Sequence, residues 1–373
     1  MGTWETTSKA KCWKVTKIMP KCYMFEHGLT INPRGKVRPC CVFNNDGISF
    51  SIEDEHLWKP YFKQKDEEMS AGGWIPECEE CRIEEKELGR SLRTRSIDDY
   101  NAGYINGIYY WDLKISNTCN LWCRMCSGGD SSTWVQNVKN NPNEDWSEHL
   151  LDHDKAKLTW HDTYLPFVKD KIIHAETIKF TGGEPMLVKH VKEVIQYLID
   201  TEFSYGVKLL VTTNGTVPWT GWWESIIPYF KEVNITMSID GIGDRFEYQR
   251  ANAKWNEVEI NAIAMNNLRK KYDNLKVGIN YTNTAINAAC KDDTEKWAKT
   301  NNIHFNEGGV EVMTPAYMSY RSLSPKLRQR FGVKGTYDFD PKMLVMLKKQ
   351  MAIMDKIQGT DFATVCPEFF EGE

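Results

Sequence analysis

The chain has 373 residues, a formal net charge of −4 and an isoelectric point near 6.1. That length accommodates two domains, or one large barrel with an appendage, and buries a sizeable core. Lys and Arg are dispersed without a basic stripe and no apolar run reaches about 18 residues, so neither a nucleic-acid face nor a membrane span is expected.

Met1 to Lys14 has no apolar stretch of the kind that a signal peptide carries. There are eleven cysteines, most of them in the first 126 residues, in C-x2-C, C-C and C-x3-C-x2-C groups. Such clustering points to metal ligation in a reducing compartment and away from a disulfide framework. The fourteen Trp are read mostly as packing residues.

In chain order, residues 1–95 read as a small cysteine-rich appendage. Cys22 opens it. Leu29 and Ile31, a Pro-Arg-Gly turn at 33–35 and Val37 then predict a hairpin that ends at Cys40 and Cys41. A short helix is expected around Glu53 to Lys65, followed by Cys78-Glu-Glu-Cys81. Cys22, Cys40, Cys78 and Cys81 make a complete four-thiolate set. On chemistry alone zinc and an iron–sulfur cluster are both open, and Cys41 competes with Cys40. The charged stretch from Glu84 to Tyr100 predicts a helix with a solvated face that links the appendage onward.

From Tyr109 the pattern alternates strand and helix. Strands are expected at 109–115, 177–181, 207–212, 233–239, 275–282 and 303–313. Val191, Val194, Ile195, Leu198 and Ile199 repeat at helical spacing between two of them. Six such units imply an α/β fold with a parallel sheet and right-handed crossovers. Periodicity alone leaves a partial barrel and a doubly wound sheet open.

The first of these strands runs into Cys119, Cys123 and Cys126, at offsets of four and three. Three thiolates on one loop suit a cubane cluster with one iron left open, against the alternative of a half-built zinc site. The polar stretch 127–160 reads as an insertion near the site, either a lid or an ordered loop. The second strand ends in Gly182-Gly183-Glu184-Pro185, where the glycines let backbone pass close to a ligand and Glu184 offers a carboxylate to an ammonium group. The third ends in Thr213-Asn214-Gly, a strong turn. The fourth ends in Ser238-Ile-Asp240-Gly, with Ser238 and Asp240 on one face. Cys290 and Cys366 are isolated and read as buried small residues. The Met-rich stripe from Met343 to Ile357 reads as a core helix, with a substrate groove as the alternative.

C-x3-C-x2-C followed one unit later by Gly-Gly-Glu-Pro resembles the radical SAM superfamily, over about residues 22–315. Met125 stands where that family usually has an aromatic residue. The resemblance implies a partial (β/α)6 barrel over 96–315 and a helical extension over 316–373. It implies a 4Fe–4S cluster on Cys119, Cys123 and Cys126 and bound S-adenosylmethionine (SAM). Its amino group would meet Gly182 to Pro185. Thr213 and Asn214 would line the pocket, Ser238 and Asp240 would meet the ribose and Arg250 the carboxylate, while Glu307 to Pro315 would close the barrel beside the adenine. The segment 1–95 is similar to a SPASM or twitch domain, which implies a second, auxiliary 4Fe–4S cluster on Cys22, Cys40, Cys78 and Cys81. That domain usually follows the barrel, and here it precedes it. Compact chains of this arrangement resemble proteins carried by bacteriophages. Further expectations are a peptide or small-molecule substrate, a ferredoxin- or flavodoxin-type reductant, and the cytoplasm of a bacterium or of a phage-infected host. The competing class is a non-catalytic iron–sulfur protein.

Overall fold

A computed structural model describes residues 21–371 apart from 45–46, 102–106, 148–158, 161–163, 307–311, 313–314 and 334–337. Its centre is a nine-stranded sheet in the order β3-β2-β1-β4-β5-β6-β7-β8-β9. The six strands expected from the alternating pattern are β4 (Tyr110–Lys114), β5 (Thr177–Thr181), β6 (Lys208–Thr213), β7 (Glu232–Ser238), β8 (Leu275–Asn280) and β9 (His304–Asn306). Each is parallel to its neighbour in sequence. The sheet does not close on itself, and the fold is an α/β partial barrel. Of the strand expected at 303–313, His304–Asn306 is paired, and 307–311 and 313–314 lie outside the described residues.

Alternation separates the two faces of the sheet. Trp111, Leu113, Ile178, Phe180, Ile235 and Met237 are fully buried on one face. Helix Lys189–Asp200 packs on the sheet through Val191, Val194, Ile195 and Leu198, the residues whose spacing predicted it. Side chains of the other face alternate with these and are polar: Asp112 on β4, Lys179 and Thr181 on β5, Thr236 and Ser238 on β7. One face is therefore a core and the other is a polar concavity that chemistry can use.

The predicted hairpin is present as β1 (Gly28–Ile31) and β2 (Lys36–Arg38), with a short β3 (Phe50–Ser51) beside it. It is not a free-standing appendage. β1 lies parallel to β4, Thr30 opposite Asp112, so the hairpin extends the sheet. All four residues of β1 are buried, because strands flank it on both sides. The helix expected around Glu53 to Lys65 runs longer, over Glu55–Gly72. The stretch from Glu84 to Tyr100 is two helices, Glu79–Leu88 and Leu92–Asn101. Gly89 separates them at φ +69°, where its N–H caps Glu85. The polar insertion contributes helix Ser132–Asn140, capped by Ser131, and Trp160, whose indole donates to Asn32 O of the hairpin at 2.8 Å. Helix Pro341–Gln358 covers the expected Met stripe and buries Met351 and Met354. Among the described residues no helix is long and apolar enough to cross a membrane.

Candidate functional site

The loop that leaves β4 holds Cys119, Cys123 and Cys126 at the C-terminal end of the sheet, where parallel α/β folds bind ligands. Several anchors fix it. Thr133 Oγ1 donates to Cys119 O at 2.6 Å, Trp134 Nε1 to Cys123 O at 2.8 Å, and Arg124 N to Gln249 O at 2.9 Å. The thiols receive donors too. Leu121 N and the Asn214 side chain point at Cys119 Sγ, at 3.4 and 3.8 Å, and Arg250 Nη1 points at Cys123 Sγ at 3.7 Å. Burial pushes the Cys119 thiol up to about 12, while a hydrogen bond from Cys126 holds Cys123 below the ordinary thiol range. These protons leave when a metal binds.

Soft thiolates that accept N–H bonds suit an iron–sulfur cluster. Among the described residues no three His, Cys, Asp or Glu side chains gather tightly enough for a single metal ion. A cubane asks for a wider set, because its irons sit at separate corners. The three-cysteine loop fits such a cluster by donor type.

Gly182–Pro185 docks directly on this loop. Gly183 N donates to Ser116 O at 3.0 Å and Glu184 N to Thr118 O at 2.7 Å. A Cβ on Gly183 would stand 2.2 Å from Thr118 O, and one on Gly182, at φ +110°, would stand 2.8 Å from Ser116 O. The close approach that needs these glycines is therefore backbone on backbone. Pro185 opens a short 3-10 turn, Pro185–Leu187. Glu184 is fully buried. It accepts from Met186 N at 3.1 Å, Thr213 Oγ1 at 2.9 Å and Asn214 N at 2.7 Å. Burial still pushes its carboxyl up to about 7 against those donors. An ionised carboxylate has about four acceptor positions, so an ammonium can still be accommodated.

Ser238 is half-buried at the last position of β7. Asp240 is fully buried and engaged: Arg250 Nη2 lies 2.5 Å from Oδ2, and Thr282 N donates to Oδ1 at 2.7 Å. Asp240 and Arg250, expected at the ribose and at the carboxylate, are here each other's partner, with Arg250 leaning on Cys123.

In the N-terminal segment Cys22, Cys40, Cys78 and Cys81 are all buried and line one small pocket with Phe25, Trp74 and Arg93. Cys40 lines this pocket with the other three thiols, whereas Cys41 does not and lies under the charges of Lys179, Asp112 and Lys114. That arrangement separates the two adjacent cysteines. Four thiols around one apolar pocket fit a thiolate-bound metal centre by donor type. The helix pair flanking Gly89 encloses it. Arg93 makes two bonds to Glu85, at 2.8 and 2.6 Å, and its guanidinium lies 5.1 Å from the Trp74 ring centroid. The charged stretch read as a solvated face is thus partly a wall of this pocket.

Sequence reasoning missed Arg124. It sits inside the cysteine motif, is fully buried and stacks 3.7 Å from the Tyr248 ring centroid. Its guanidinium donates to Tyr248 O, Asp355 Oδ1 and Gln358 Oε1, each at 2.7 Å, and to Thr360 Oγ1 at 2.9 Å. The available signal was an arginine between two candidate ligands, too near the centre to be a surface charge. Asp112 was missed as well: it is fully buried, bonded by Lys179 at 3.1 Å and Thr181 at 2.9 Å.

The family profile described as the Radical SAM superfamily matches residues 113–284, which contain the three-cysteine loop, the docked turn and the Asp240–Arg250 pair. Residues 113–284 are thus similar to a radical SAM domain. A protein of Methanocaldococcus jannaschii described as uncharacterized is 28% identical over 143 residues, covering 37% of this chain and 41% of that one. A structure of anSMEcpe with bound AdoMet aligns with TM-score 0.40 at 18% identity, over 66% of this chain and 61% of that chain. Streptococcus suis SuiB bound to the precursor peptide SuiA aligns with TM-score 0.38 at 12% identity, over 93% and 74%. The chain thus spans well under two thirds of the curated relative's length, and somewhat under two thirds of anSMEcpe.

Proposed function

We propose that this chain is a radical SAM enzyme with two iron–sulfur centres, the first on Cys119, Cys123 and Cys126 and an auxiliary one on Cys22, Cys40, Cys78 and Cys81. The observation that carries the reading is the docking of Gly183 and Glu184 onto Ser116 and Thr118. It joins a three-thiolate loop and a buried carboxylate into one rigid site. Cys119, Cys123 and Cys126 would hold a cluster that would supply the electron for reductive cleavage of SAM and so for hydrogen abstraction from substrate.

The chain's own residues do the positioning. Glu184 would accept the ammonium of SAM, and the docked Gly182–Gly183 backbone fixes that carboxylate beside the three-cysteine loop. Asn214 and Arg250 donate to thiolates, which steadies their charge. Ser238 is the ribose contact, Thr213 holds Glu184 in place, and Asp240 orients Arg250. The units are 1–95, SPASM- or twitch-like, 96–315, the barrel, and 316–373, the extension. The substrate is a peptide or a small molecule, and a ferredoxin- or flavodoxin-type protein is the reductant in the cytoplasm.

Anaerobically reconstituted protein, given dithionite and SAM, is expected to form 5′-deoxyadenosine, measured by chromatography. The Cys119, Cys123 and Cys126 triple Ala variant is expected to form none. A wild type that holds iron on these cysteines but leaves SAM intact would make the chain an electron carrier or binding protein instead.

A further inference from the structure

Between the two cysteine centres the polar face of the sheet carries a cluster that neither centre uses. Thr30 on β1 lies opposite Asp112 on β4, which lies opposite Lys179 on β5. One step toward the C-terminal end, Lys114 lies opposite Thr181. Side chains directly opposite in parallel strands share a face. The face is the one opposite to Leu29, Trp111 and Ile178, all fully buried in the core.

Asp112 and Lys179 neutralise each other at 3.1 Å, and Thr181 completes the carboxylate. Two groups are left over. Thr30 is buried, and its hydroxyl has no hydrogen-bond partner among the described residues. A buried polar group without a partner is costly, and a ligand is one way to satisfy it. Lys114 is half-buried and makes no ion pair with a described residue. Its Cα and Cβ stand 3.5 Å from where a Cβ on Gly182 would be, so it borders the docked turn. Cys41 is half-buried and does not line the four-thiol pocket, and the charges acting on it are those of Lys179, Asp112 and Lys114 and, more weakly, Glu80.

We propose that this cluster is the substrate site, and that Lys114 and Thr30 hold a carboxylate of the substrate there, with Cys41 at its wall. An ammonium and a hydroxyl without partners among the described residues match a small monoanion with two oxygens. The location, beside Gly182 on one side and next to Cys40 on the other, puts the substrate between the two centres. This rests on the enzyme reading above and names its substrate class as carboxylate-bearing.

The test uses the reconstituted protein with both centres loaded, so that the ligating cysteines are protected. Cys41 is alkylated with iodoacetate or with iodoacetamide, and each product is quantified by peptide mass spectrometry. Both reagents attack the same thiolate, so their ratio, normalised to Cys41 in the denatured chain, reports attraction of a carboxylate rather than thiol ionisation. The native ratio is expected to exceed the denatured one by about fivefold, as a single nearby cation would give. In Lys114→Ala it is expected to fall to near one, and in Lys114→Arg to stay raised. A native ratio of one, a ratio unchanged in Lys114→Ala, or no alkylation of Cys41 by either reagent overturns the proposal. SAM cleavage by the wild type is measured separately, so failure here is told apart from failure of the enzyme reading.

Discussion

At the scale of single residues, Glu184 carries the largest conflict in the site. Its carboxyl is fully buried, three donors reach it, and burial still lifts it from the ordinary 4.5 to about 7. The folded chain therefore binds a proton more tightly there than the unfolded chain does. Stability from this group is complete below about pH 4.5 and is lost as pH rises through 7, by up to about 3 kcal/mol. Glu184→Gln is expected to remove that slope, read as the difference in urea unfolding free energy of the metal-free protein between pH 5 and pH 8. A Gln variant with the slope of the wild type would contradict the buried-acid account. Glu184 was legible in Gly-Gly-Glu-Pro, and Thr213 and Asn214 as a strand-end turn, but not their bonds to Glu184, because they arrive from the next strand. Asp240 and Arg250 were legible as polar residues at a strand end. Their mutual pairing was not, since it depends on how Phe246 to Ala253 folds back over the cysteine loop, where Trp122 N and Arg124 N bond to Ala251 O and Gln249 O.

Elements were legible where a period exists. Strands β5 to β7 alternate as the sequence does, and helix Lys189–Asp200 buries the residues its spacing selects. Pairing across distance left no such trace, which is why the junction of β1 with β4 surfaced only in the structure. Helix Pro341–Gln358 shows both sides of this. Its Met stripe announced a packed helix, and Asp355 near its end gave no sign of reaching the cysteine loop. Yet Asp355 accepts from Arg124, from Thr360 Oγ1 at 2.7 Å and from Phe362 N at 2.7 Å. Asp355→Ala strips a buried guanidinium of its carboxylate, a change expected to cost about 3 kcal/mol in chemical denaturation. Because Arg124 lies between Cys123 and Met125, the variant is also expected to lose iron from the first centre faster to a chelator. Unchanged stability together with unchanged iron retention would mean that Gln358, Thr360 and Tyr248 suffice to hold Arg124.

At the scale of the molecule, one sheet connects the two cysteine centres. The hairpin of β1 and β2 leads to Cys40, β4 leads to Cys119, and β1 and β4 are hydrogen-bonded neighbours. The centres nonetheless recruit different loops, and the docked turn, Glu184 and Arg250 all belong to the first. The auxiliary centre is therefore expected to serve substrate or a later electron transfer, and not SAM cleavage. Wild-type protein is expected to bind about eight irons per chain, and Cys78→Ala with Cys81→Ala about four, as two cubanes would give. The double variant is expected to form 5′-deoxyadenosine at the wild-type rate per remaining cluster, after circular dichroism has established that the sheet is intact. About four irons and one zinc in the wild type would make the N-terminal centre a zinc site while leaving the barrel reading in place. Complete loss of cleavage in a folded variant that still binds SAM would mean that electrons reach the first centre through the N-terminal one. The shared sheet would then be an electron path, and the row of Thr30, Asp112 and Lys179 that bridges β1, β4 and β5 would lie along it.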